Sequence, residues 1–75
     1  MIINVERDPR YSLYYIGAII INLLKDYKTL SIDELYNAVE SITGIKVHIN
    51  FIYYALDWLY LLSLIEMADD KVVLC

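Results

Sequence analysis

The side chains best equipped for chemistry in this 75-residue chain are one histidine, His48, one cysteine, Cys75, and an adjacent acid pair, Asp69-Asp70. None stands in an arrangement that such chemistry requires. A nucleophile needs a base in hydrogen-bond reach, and a metal needs several ligands brought together by short, regular spacings. His48 and Cys75 each lack a partner at any such spacing. His48 falls where a helix is expected to begin and reads as a surface or cap-adjacent residue. Two acids between apolar runs read as turn chemistry and solubility rather than as a general acid or a cation site. The two glycines, Gly17 and Gly44, stand alone, so no Gly-rich loop is present to cradle a phosphate. The chain is expected not to be an enzyme and to need neither cofactor nor metal.

What the sequence holds in excess is surface suited to another protein. It carries eight Tyr and one Trp, and 60% of it is hydrophobic. Chains of this size bury only about 60% of the surface that they expose when unfolded, so part of that apolar excess must face a partner. Trp and Tyr dominate interface hot spots because they bury large areas with few rotors to freeze. The candidate interface residues are Tyr54 and Trp58, with Asp57 between them, Leu61 on the same face, Tyr53 at its flank, and Tyr14 and Tyr15 on the first helix. Asp57 is either a solvated face residue or an anchor for a partner's Arg or Lys. Tyr53 and Tyr60 also fit a plainer role, capping the core edge with hydroxyls in water.

These residues are positioned by an expected order of helix, short strand, helix, helix, hairpin. Asp8 is a suitable N-cap with Pro9 at the first helical position, and the first helix is expected to run to Lys25 or Asp26. Its core stripe is Leu13, Ile16, Ile20, Leu23, Leu24 and Tyr27, with Gly17 beside it where another backbone could approach closely. Tyr11, Tyr14, Ala18, Asn22 and Lys25 form the opposite face, flanked by Tyr15. After an extended stretch at Lys28 to Leu30, Ser31-Ile32-Asp33-Glu34 is a capping box, with Leu30 and Leu35 as its hydrophobic staple. The second helix therefore starts at Ile32, buries Ile32, Leu35, Val39 and Ile42, and ends at Gly44.

The third helix is expected from about His48–Asn50 to Ser63, with Ile52, Ala55, Leu56, Leu59 and Leu62 inward. Asn50, Tyr54, Asp57 and Leu61 lie opposite, flanked by Tyr53 and Trp58. Leu64 to Met67 and Lys71 to Leu74 then read as a hairpin across Ala68-Asp69-Asp70, to which the strand near Thr29 would add. The fold class is α+β, mostly helical: a winged helix-turn-helix of three helices with a short strand and a C-terminal β-hairpin wing, in one domain over residues 1–75.

Charge narrows the function. Six basic against ten acidic residues give a net charge of −4, opposite in sign to a domain that neutralises phosphates. From Val47 through Asp70 there is no Lys or Arg, although the third helix of a DNA-binding winged helix needs donors for bases and phosphates. Direct nucleic-acid binding is therefore disfavoured. The mean hydropathy of +0.51 raises a membrane reading, but the greasy runs Tyr11–Leu24 and Ile49–Ile65 fall short of about 18 residues, and the second contains Asp57. No signal peptide is visible, and the single cysteine suits a reducing cytoplasm.

The residues also carry a resemblance. A Pro9-led helix ending in "INLLKDYKTL", the capped "SIDELYNAVE", and above all "NFIYYALDWLYLLSLIEMADDKVVL" resemble the small winged-helix middle components of bacterial three-component ABC-ATPase conflict systems, of the class called middle component 6. The stretch "ALDWLYLLSLIE" is similar to the family pattern "ALDFLYLLGKI", with Ser63 and Leu64 standing where that pattern has Gly and Lys. That departure removes a positive charge and makes the junction greasier. The resemblance implies a non-catalytic subunit between an ATPase of the structural-maintenance-of-chromosomes (SMC) and Rad50 type and a separate effector, often a nuclease, in systems that overlap with Lamassu anti-phage defence. It carries over no catalytic residue. The leading reading is an adaptor for a larger protein partner. The alternatives are a winged-helix DNA-binding transcriptional regulator and a homodimeric interaction module using the same aromatic face.

Overall fold

The computed structural model describes residues 12–75, which form α1 (Leu13–Tyr27), β1 (Thr29–Ser31), α2 (Ile32–Thr43), α3 (Ile49–Leu61), β2 (Ile65–Ala68) and β3 (Lys71–Leu74). The expected start at Asp8 and Pro9, and Tyr11 on the outer face, lie outside the described residues. The cap observed on α1 is Ser12, whose Oγ accepts from the Tyr14 and Tyr15 N–H groups. Apolar residues at helical spacing turn Ile16, Ile19, Ile20, Leu23 and Leu24 inward. Tyr27, expected in that stripe, is 62% exposed. It is the last residue of the helix, and the backbone turns away at Lys28 with φ 71°.

Ser31 ends β1 and caps α2. Its Oγ accepts from the Glu34 N–H at 3.1 Å, and the Glu34 carboxylate accepts from the Ser31 N–H at 2.8 Å, completing the expected capping box. Lys71 of the wing stands 3.9 Å from the same carboxylate. The Ser31 backbone hydrogen bond, and then the Lys71 charge, hold the Glu34 carboxyl below its usual value. A depressed folded value means that this stabilisation is fully present above the ordinary carboxylate value and is lost as pH falls through the lowered one. Glu34→Gln is therefore expected to lower the urea midpoint at pH 7, by an amount that shrinks as acid protonates the parent's carboxyl; a deficit independent of pH would contradict this account.

Helix α2 buries Leu35 and Val39 and ends, as expected, at Gly44 with φ 73°. Ile42, expected in the core, is exposed, and its place is taken by Thr43. The i, i+4, i+8 row Leu35–Val39–Thr43 sets the inward face, and the Thr43 hydroxyl donates to the Val39 carbonyl at 2.8 Å, which lets a polar side chain sit there. The connection to α3 contributes Val47, fully buried.

Helix α3 turns Ile52, Ala55, Leu56 and Leu59 inward. It stops at Leu61 rather than Ser63, so Leu62, expected in the core, is the C-cap and half exposed. The chain reverses there through a Schellman motif: the Leu64 N–H donates to the Leu59 carbonyl and the Ser63 N–H to the Tyr60 carbonyl. Ser63 occupies the left-handed position with φ 62°, where a side chain costs about 1–2 kcal/mol and glycine does not. Ser63→Gly is expected to raise stability by about 1 kcal/mol, read as a higher urea midpoint at unchanged m-value; a lower midpoint would refute the left-handed assignment.

The three strands form an antiparallel sheet of order β1-β3-β2, so the first strand joins the hairpin as expected. Leu30 and Met67 both pair with Val72 and share the inner face, while Thr29 and Glu66 pair with Val73 and share the outer one. Three helices and this hairpin wing make a winged-helix arrangement. Among the described residues, no helix is long and apolar enough to cross a membrane.

Candidate functional site

His48 and Cys75 are both accounted for structurally. The His48 Nδ1 accepts the Asn50 N–H at 3.1 Å, making His48 the N-cap of α3. Desolvation, and then the neighbouring Glu66 carboxylate, push the Cys75 thiol up, away from the thiolate form that reacts. Asp69 and Asp70 form the two-residue turn of the wing, with Asp69 left-handed at φ 59°. Among the described residues no cluster of three or more His, Cys, Asp or Glu is placed to hold a metal.

The seven residues singled out for an interface do not form one patch; α3 divides them. Tyr54, Asp57 and Leu61 stand one and two turns apart on its outer ridge, with Tyr54 at 59% exposure and Leu61 at 79%. On the side toward α1, Trp58 is half buried against the core. Its ring lies over Gly17, where an added Cβ would come within 2.9 Å of the indole. The close approach expected at Gly17 is thus made by a side chain and not by a backbone. Tyr14 meets the same ring edge to face, with centroids 5.0 Å apart at 89°, a favourable aromatic geometry. Tyr15 is exposed but turned about 100° around α1 from Tyr14, so it does not join that pair.

On the other side of α3, Tyr53 lines an open groove of about 830 Å³ together with Asp57, Tyr60 and Leu61. The opposite wall is the wing, where Ile65, Glu66 and Met67 line it. Tyr60 and Met67, at 60% and 50% exposure, and Glu66 were not among the expected interface residues. The seven-residue spacing of Tyr53 and Tyr60 places them on one side of the helix and was the available signal. Nothing in local sequence marks Met67 or Glu66, because their proximity to α3 arises only when the wing folds back.

The electrostatics are one-sided. No basic side chain occurs from Val47 through Asp70, so neither the ridge of α3 nor β2 carries a cation, and Lys71 at the start of β3 lies beside Glu34. The arrangement offers aromatic and aliphatic contact area with an acidic margin.

No curated protein and no solved structure matches this chain. Residues 3–75, nearly the whole sequence, match one family model. Together with the small winged-helix scaffold, this match shows that the chain belongs to the family of ABC-three component (ABC-3C) system Middle Component 6 proteins, and hence that it is a component of such a system, acting with its other components.

Proposed function

We propose that this chain is a non-catalytic adaptor that works in the cytoplasm, bridging the SMC/Rad50-type ATPase of its system and the effector, in the setting of anti-phage defence. It docks through the exposed aromatic and aliphatic side chains of α3 and its surroundings: Tyr53, Tyr54, Asp57, Trp58 and Leu61, with Tyr14 and Tyr15 from α1. The observation that carries this reading is the ridge of α3, where Tyr54 and Leu61 project into solvent on a helix that in a DNA reader would carry donors for phosphate. An acidic chain without a cation on that ridge supports a protein partner over a duplex, since phosphate attraction supplies nearly all non-specific DNA affinity.

Co-expression with the other components, followed by mass determination of the intact assembly, tests it. A stoichiometric complex is the expected result, and recovery of the chain alone would defeat the reading. Tyr54→Ala and Leu61→Asp change exposed residues and are expected to weaken the complex at least about 30-fold each, the scale of a hot spot, without moving the melting temperature. Trp58→Ala is less informative, because it also empties the contact over Gly17.

A further inference from the structure

The groove between α3 and the wing runs along an unpaired strand. The order β1-β3-β2 leaves β2 at the edge of the sheet. Ile65, Glu66 and Met67 all line the groove, although consecutive strand residues point to opposite faces; a groove touched by all three follows the strand's edge. The strand has no Lys or Pro to blunt that edge. The facing wall is the Tyr53 and Tyr60 side of α3, so the floor is apolar and aromatic. Each wall contributes one acidic residue, Asp57 from the helix and Glu66 from the strand, and the Glu66 carboxylate neighbours Cys75, which lines the same groove.

Charge selects among occupants. A second copy seated by two-fold symmetry would set the same acidic walls against each other, and like charges across an interface are unfavourable. Phosphate-bearing surfaces, whether nucleic acid or anionic lipid, meet the same repulsion. A carboxylate covered by a neutral partner loses water without compensation. We infer that this groove receives one apolar segment bearing Lys or Arg, contributed by another protein of the system, its apolar side chains between Tyr60 and Met67 and its cations on Asp57 and Glu66. This inference rests on the adaptor reading and adds which surface binds and the charge of what it binds.

The test uses the full chain and the purified component with which it co-assembles, measuring Kd at low and high salt for the parent, for Asp57→Lys combined with Glu66→Lys, and for Tyr14→Ala. All three substituted residues are exposed, and melting temperatures check that the variants are folded. The double charge reversal is expected to weaken binding at least about tenfold at low salt, since it places like charges together, and to abolish the parent's loss of affinity with added salt. Amide exchange in the complex is expected to slow at residues 65–67. If the parent binds and the charge reversal does not change its Kd, or if only Tyr14→Ala weakens it, the groove assignment is overturned while the adaptor reading stands. If the parent binds no component, both fail.

Discussion

Leu59→Ala is expected to remove about 2–5 kcal/mol of stability, the range for truncating a buried leucine to leave a cavity. Leu59 is 2% exposed, and its Cδ2 lies 3.7 Å from the point where a Cβ on Gly17 would stand, so it packs α3 onto α1 directly beneath Trp58. A chain of this length has roughly 4–11 kcal/mol in all, at about 0.05–0.15 kcal/mol per residue. The substitution therefore removes a large share of it, and the melting temperature is expected to fall by at least about 10 °C. Leu61→Ala, two residues on in the same helix but 79% exposed, is expected to stay within about 0.5 kcal/mol of the parent. Thermal melts followed by circular dichroism distinguish the two. Equal losses would mean that the inward face of α3 is misassigned.

Gly17→Val is expected to cost about 1–3 kcal/mol through overpacking. A Cβ at this position meets Trp58 Cζ3 at 2.9 Å and Cε3 at 3.4 Å, inside the roughly 3.5–4.0 Å optimum for carbon contacts. Displacing the ring would also disturb its edge-to-face contact with Tyr14, itself worth about 0.5–1.5 kcal/mol. Alanine would recover up to about 1 kcal/mol of helix propensity against the same clash; valine adds two methyl groups and recovers less. As the single tryptophan in the chain, Trp58 reports the event, and a red-shifted emission is expected as the indole moves into water. The clash is expected to shrink in a Trp58→Phe background, where the ring is smaller. A double-mutant cycle showing no coupling between the two positions would locate the cost elsewhere.

Local rules account for much of the molecule. The capping box at Ser31 and Glu34, the left-handed Gly44, the hairpin across Asp69-Asp70 and the inward stripes of α1 and α3 each depend on residues within about one or two helical turns, so spacing alone reveals them. The misplaced positions share one cause: Tyr27, Ile42 and Leu62 all lie in or just past the last turn of a helix. There the periodic pattern continues on paper while the chain has reached the edge of the core or has left the helix. Ser63 shows the same boundary from the other side, since its left-handed backbone is required by the reversal into β2 and not by its own side chain.

For the interaction surface, the sequence by itself determined that its apolar residues exceed what a 75-residue chain can bury, that no cation lies between Val47 and Asp70, and that Tyr54, Asp57 and Leu61 share a helix face. Only the tertiary structure decided that Trp58 belongs partly to the core over Gly17, that Tyr14 meets its ring, and that Tyr53 and Tyr60 face Met67 and Glu66 across a groove. The reason is the range over which each is set. Composition and helical period are properties of neighbouring residues, whereas the walls of the groove are brought together by the reversal of the chain after α3 and by the pairing of β2 with β3.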